Sequence, residues 1–393
     1  MRGGWVWTGV LAVLLPTVAG GGRAAAMGSP EYLALGYFIL RMANVGAPSW
    51  SPDGESMAFV VGSPAWEATI ATVGVSGANR RELCPGTEPK WSPRGDWIAF
   101  FEAERAGGYA LSVVSPEGGE PRRLAGGCAS TASVWSQDGQ YLAFERVESR
   151  EVETGAASGR PVSVGNVYIV EVRTGSVRRV TDLESVCLAD ARSVTIRVAG
   201  WTAEGEVVFV LRVRGAPGSG LYAVEVGAGE LRRVFAGEFY LVSLSPDGTE
   251  VVLTGHPGAA SGEPTVAPQT ELMLGRVGEE AVRRVVLTPW GEEVRNISAG
   301  WGRRVVMESG PGAGDTYVLT RVELDSGRRE VLTEAGVMEG APAVSPDGSM
   351  AAYYREARED SSEVVATDLY VMGMEGEAAR FVAHCYHDAA PGK

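Results

Sequence analysis

Lysine is almost missing from this chain: Lys90 and Lys393 are the only two in 393 residues, and arginine carries the rest of the positive charge. The formal net charge is −14, which argues against nucleic acid or an anionic membrane as partner, because both need a basic surface. Histidine is limited to His256, His384 and His387. Two of these frame Cys385-Tyr386 near the C-terminal end, and two ligands do not make a metal site. No metal and no cofactor is expected. The four cysteines, Cys84, Cys128, Cys187 and Cys385, contain no C-x-x-C pair, which leaves a zinc ribbon or thioredoxin-like motif unsupported. Export would permit disulfides in three pairings, with free thiols as the alternative. The nucleophile motif G-x-S-x-G is absent; Gly74-Val75-Ser76-Gly77-Ala78 comes nearest and falls on a turn. No long amphipathic helical stretch stands out.

What the chain has is turns and short apolar strands. Its 53 glycines and 21 prolines punctuate runs dominated by β-branched valine, an all-β composition. One stretch recurs. Pro48-Ser49-Trp50-Ser51-Pro52-Asp53-Gly54-Glu55-Ser56-Met57-Ala58-Phe59 returns from Pro89 to Phe100 and from Ser133 to Phe144. It returns without Trp at Ser243 to Gly248 and Ala343 to Gly348, and more weakly at Trp201 to Gly205 and Ile297 to Met307. Each copy reads as strand, tight turn, strand: Pro presets φ, Asp can bond the backbone two residues on, and Gly tolerates positive φ.

The copies start at 50, 91, 135, 201, 244, 297 and 344. Behind each lies a second hairpin with its own Gly turn, at Ser76-Gly77, Gly118-Gly119, Gly175, Gly229, Ser326-Gly327 and Gly376 among others. Four antiparallel strands (A to D) in roughly 40–45 residues is the period of a propeller blade. The expectation is an all-β, seven-bladed β-propeller, with six blades as the alternative. The Trp of the motif is expected to pack between blades.

Trp-Ser-Pro-Asp-Gly, three residues, then Ala-Phe resembles the TolB-like, WD-repeat-related β-propeller repeat, over about residues 48–384. The resemblance marks a fold more than a function, since such propellers host scaffolds, peptidase gates and some lyases. The family's namesake has six blades and an N-terminal α/β domain, so this chain looks like a relative of the repeat rather than an equivalent. The resemblance also implies an enzymatic alternative. Oligogalacturonate lyases are similar in size and fold and place several histidines around a metal at the channel mouth; three histidines supply that chemistry thinly.

The N-terminus carries Arg2, an apolar run from Trp5 to Val18 and Ala24-Ala25-Ala26, the pattern of a secretory signal. The run is short of the ~20 residues a span needs, and an uncleaved anchor is the alternative. The expected organisation is a signal at 1–26, a segment at 27–47 and the propeller at 48–393, in a periplasmic or extracellular monomer. Phe38 to Ala43 and Ala379 to His384 compete for the outer strand of the closing blade, and sequence continuity favours the second.

Length variation gathers on the face of the B–C and D–A connections: Arg146 to Gly165, Gly255 to Thr270, Glu308 to Asp315, Arg355 to Thr367 and Thr181 to Ala199. Loops on a rigid scaffold are where binding usually sits. The candidate contact residues there are Trp66, Arg105, Arg150, Arg160, Arg214, His256, Asp315, Arg355 and Asp360, and no catalytic residue is assigned. Asp53, Asp138, Asp247 and Asp347 are read as caps of their own turns rather than a carboxylate ring. Paired arginines at the start of strand D, such as Arg80-Arg81 and Arg232-Arg233, are read as protection of outer edges. Asn296-Ile297-Ser298 matches a glycosylation sequon but falls inside an expected strand. The expected function is a non-catalytic module of the cell envelope that binds a protein or peptide. The alternative is a carbohydrate-active lyase or hydrolase working at the channel mouth.

Overall fold

Alternation decides the architecture. In β2 (Ser56–Val61), Met57 and Phe59 enter one core while Ala58 and Val60 enter another, so the strand is buried on both faces. A strand sandwiched this way reads as a continuous apolar run. The computed structural model describes residues 46–62, 68–105, 107–150, 162–183, 193–214, 217–227, 229–257, 270–279, 281–289, 292–300, 303–311, 317–334, 339–358 and 365–386, with backbone alone at some strand ends. They belong to one unit, Arg41–Lys393. The expected placements of Phe38 to Ala43 and of the signal lie outside the described residues.

The first sheet joins β1 (Ser49–Trp50), β2, β3 (Thr69–Gly74) and β4 (Arg81–Pro85) in sequence order, all antiparallel. The second repeats this with β5 (Thr87–Trp91), β6 (Ile98–Ala103), β7 (Tyr109–Val114) and β8 (Arg122–Cys128). An eleven-stranded sheet follows. It holds β9 (Ser133–Trp135), β10 (Tyr141–Arg150), β11 (Val162–Glu171) and β12 (Val177–Arg179), then β13 (Ser193–Trp201), β14 (Glu206–Arg214), β15 (Gly220–Glu225) and β16 (Leu231–Leu244), then β17 (Glu250–Pro257), β18 (Glu271–Arg276) and β19 (Val282–Leu287). Its parts are antiparallel meanders joined in two ways. β16 pairs β15 with its first half and β17 with its second, and β11 meets β13 at one parallel pair, Val164 with Val194. Two four-stranded sheets complete the order: β20 (Glu292–Ala299), β21 (Arg304–Pro311), β22 (Val318–Glu323) and β23 (Arg329–Val331), then β24 (Glu339–Val344), β25 (Met350–Arg358), β26 (Val365–Gly373) and β27 (Arg380–Tyr386). The C-terminal segment is thus the outer strand of the last sheet.

The recurring turn is built as its residues suggest. Asp53 Oδ1 accepts the Ser51 hydroxyl at 2.5 Å and the Glu55 N–H at 3.0 Å, and Ser51 Oγ accepts the Ser56 N–H at 2.9 Å. Ser136 with Asp138, Ser245 with Asp247 and Ser345 with Asp347 repeat it. Gly54 takes φ +73° and Gly248 +70°, which a side chain would resist. In the second copy Arg94 replaces the aspartate, and the Ser92 hydroxyl turns to Asp96 instead, at 2.7 Å.

Between sheets the motif makes long-range ties. Trp50 Nε1 donates to Ala343 O at 2.8 Å, Trp135 Nε1 to Lys90 O at 2.9 Å and Trp201 Nε1 to Val134 O at 3.1 Å. Trp91 differs and bonds Gly95 O in its own turn at 3.2 Å. The serine before the Trp position adds a second tie: Ser49, Ser243 and Ser298 accept the N–H of Trp91, Ala299 and Val344. The degenerate sixth copy therefore registers at Ala299, not at Ile297, and Ala299 pairs Val305 as Leu244 pairs Val251. The first and last sheets pack on each other through Phe59 and Val73 against Tyr354 and Val371.

Candidate binding face

Two connections that the sequence suggests are loops carry paired strand among their described residues. The β10–β11 ladder continues to Arg150 opposite Val162, and β13 begins at Ser193 opposite Arg214. The β25–β26 ladder likewise reaches Arg358 opposite Val365, whereas β2–β3 ends after six residues. All these hairpins extend at the same end of their sheets, away from the Asp-Gly turns.

Of the candidate contact residues, Arg105 is exposed between β6 and β7, and Arg214 is exposed at the end of β14. Arg355 is half-buried in β25. Its Nε donates to Glu339 Oε1 at 2.6 Å, and its guanidinium lies 4.7 Å from the Tyr370 ring centroid. Arg150 and His256 are placed by backbone only, at the ends of β10 and β17. Trp66, Arg160, Asp315 and Asp360 lie outside the described residues. Arg105, Arg214 and Arg355 belong to three separate sheets. His384 Nδ1 lies 2.9 Å from Asp368 Oδ1.

The inner strands carry charged groups that the candidate set omits. Glu145, buried in β10, accepts the Val198 N–H at 2.9 Å from β13 and the Ser130 hydroxyl at 2.8 Å. Glu308 holds the equivalent place in β21. It accepts the Ala341 N–H at 3.1 Å from β24 and the Asn296 amide at 2.6 Å. Asn296 of the sequon is thereby engaged. Each donor N–H sits at a bulge of the next inner strand, between Val198 and Gly200 and between Gly340 and Ala343. Burial pushes both carboxyls above the usual range, against the pull of Arg197 on Glu145 and of Asn296, Ala341 and Arg295 on Glu308. The turn aspartates move the other way: the Ser51 hydroxyl and the Glu55 N–H lower Asp53. The signal for Glu145 and Glu308 was present as a lone acid ending an apolar run, Phe144-Glu145 and Met307-Glu308.

Arg197, Arg212 and Arg214 form a second group. In β13 and β14, Thr195 faces Arg212 and Ser193 faces Arg214, and alternate residues share a face, so the three arginines lie on one side of this hairpin. Val208 and Val210 on that side pack against Phe239 and Leu253. The arginines therefore look toward β16. Arg212 Nε donates to Phe239 O at 3.0 Å and its Nη2 to Tyr240 O at 3.2 Å. Burial lowers the Arg212 pKa, and Arg197 and Arg214 lower it further, while Tyr240 and Glu238 act against them. At the Asp-Gly end, by contrast, a groove of about 450 Å³ is lined by Glu204, Glu206, Glu225 and Arg232, and an ion pair of 2.6 Å between Arg232 and Glu206 occupies it.

Antiparallel four-stranded sheets of consecutive strands, packed face to face through shared cores, define the class: a β-propeller. No protein-family model and no curated protein matches the chain. Solved structures do. The β-propeller domain of the Trilobed protease from Pyrococcus furiosus is 15% identical, with 88% of this chain and 97% of that one covered and a TM-score of 0.60. An oligogalacturonate lyase in complex with manganese is 11% identical over 83% and 87% of the two chains, TM-score 0.59. TolB from Acinetobacter baumannii is 14% identical over 83% and 79%, TM-score 0.46. At these identities the likeness to the first two is one of fold. No helix among the described residues is long and apolar enough to cross a membrane.

Proposed function

We propose that this chain is an exported, seven-bladed propeller that binds a protein or peptide on the face of its extended hairpins, without catalysis of its own. Support for the blade number is a cycle of contacts: β1 meets β5, β5 meets β9, and the succession runs through β13, β16, β20 and β24 back to β1. The observation that carries the binding face is the one-sided growth of the β10–β11, β13–β14 and β25–β26 ladders, since a rigid scaffold offers its variable edges to partners. The buried carboxylates beside it favour a scaffold. Glu145 and Glu308 are committed to backbone N–H groups of the next blade, which holds blades together, and Glu339 is committed to Arg355 within its own blade. The signal is assigned to residues 1–26, and N-terminal sequencing of exported protein checks it.

The test is cleavable crosslinking of the mature protein in its own cell envelope. One protein should be captured in stoichiometric amount, and capture should be lost when residues 151–161 and 359–364 are shortened with the melting temperature retained. The second reading, a carbohydrate-active enzyme at the channel mouth, draws on the similarity to the lyase. Depolymerisation of an acidic polysaccharide by the purified chain with added manganese would replace the first reading with the second.

A further inference from the structure

Several arginines elsewhere in the molecule are paired with carboxylates: Arg81 with Glu117, Arg232 with Glu206, Arg303 with Glu250 and Arg355 with Glu339. Arg197 and Arg214 are exposed, and neither makes a hydrogen bond or ion pair among the described residues. They flank Arg212 on one face of the β13–β14 hairpin. Arg197 and Arg212 are diagonal neighbours, about 7–8 Å apart across the ladder, and Arg214 follows two residues on, so three guanidinium groups share a patch on a chain of net charge −14. The Glu238 carboxylate acts on Arg212, and Arg197 acts on the buried Glu145. Three like charges held this close repel, and a bound anion would relieve that repulsion.

We propose that Arg197, Arg212 and Arg214, facing β16 and Tyr240, form a binding site for the side-chain carboxylates of an acidic peptide in extended conformation. Arg212 and Arg214 are two residues apart on one strand, about 7 Å along it, and an extended peptide repeats its same-face side chains at that spacing. A guanidinium presents a planar fork that matches a carboxylate. Arg212 is already fixed by two carbonyls of the next blade, so little of its freedom is lost on binding. Tyr240 is 45% exposed with the Arg212 guanidinium 5.1 Å from its ring centroid. An exposed aromatic beside arginine is the composition of a protein interface, which favours a peptide over a free inorganic anion. The assignment rests on the reading of this face as a protein-binding surface.

Fluorescence polarisation with a labelled peptide carrying three glutamates at alternate positions among serines tests it on the whole mature chain. Binding should weaken at least tenfold in R197A/R214A and in R214E, be absent for the glutamine version of the peptide, and persist in R233A, an exposed arginine of β16 outside the patch. Melting curves of each variant should overlay the parent, as expected for exposed side chains. Binding by R197A/R214A within twofold of the parent overturns the site. Equal binding of the glutamine peptide, or displacement by inorganic phosphate at lower concentration than by unlabelled peptide, overturns the ligand. Partner capture that depends on the hairpin tips but survives R197A/R214A ends this assignment and leaves the function above standing. Absence of any captured partner ends that function whatever the peptide does.

Discussion

The two ends of the blades use acidic residues in opposite ways. At the turn end, Asp53, Asp138, Asp247 and Asp347 are exposed or half-buried and bonded within their own turns, two residues away, which holds them below the usual carboxylate range. At the hairpin end, Glu145 and Glu308 are buried and bonded to a different blade, and burial raises them. Solvent screens the first group and leaves each bond worth little. The second group has no solvent to fall back on, so each bond is costly to lose. The same residue class therefore shapes a turn at one end and fastens neighbouring blades at the other.

Removing a buried acid should separate the two ends most sharply. Glu308→Ala strands the Ala341 N–H and the Asn296 amide, each costing roughly 1–3 kcal/mol when left unmet, so urea unfolding at neutral pH should show a loss of about 3 kcal/mol. A loss as small as that of a turn aspartate would dissolve the distinction. Trp50→Phe keeps the apolar packing but deletes the bond to Ala343 O that joins first and last blades. Its expected cost is about 1 kcal/mol, and the same change at Trp91, which bonds its own turn, should cost less.

The smallest effect is also the most discriminating in sign. Asp347→Ala should cost about 0.5 kcal/mol at pH 7 and nothing once the pH is well below the aspartate's lowered pKa. A depressed carboxyl contributes stability above its unfolded pKa and loses it as pH falls through the folded one. Glu308 is raised, so its contribution is fullest below the unfolded glutamate pKa and declines as pH rises toward the folded value. Glu308→Gln should therefore gain stability relative to the parent as pH rises from 4 towards neutrality. Parallel pH profiles for the two variants would break the comparison.

Much of the hairpin end was hidden for a geometric reason. The candidate set included Arg214 but not Arg197 or Arg212, because the long D–A connection read as a loop and only the register of β13 against β14 puts the three on one face. Arg355 was legible as a charge at a strand end, yet its use by Glu339 depends on a bulge in β24 between Gly340 and Ala343.

Where partners are two to five residues apart, as Ser51, Asp53 and Ser56 are, the chain alone settled the outcome: turn, flanking strands, repeat and the burial of both strand faces. Such bonds need no information beyond the local backbone. Val198 comes to Glu145 across 53 positions, Ala341 to Glu308 across 33 and Ala343 to Trp50 across 293. Those partners, the arginine face and the meeting of the first and last blades were decided only by which strand came to lie against which, since a bulge of one residue redirects every side chain beyond it.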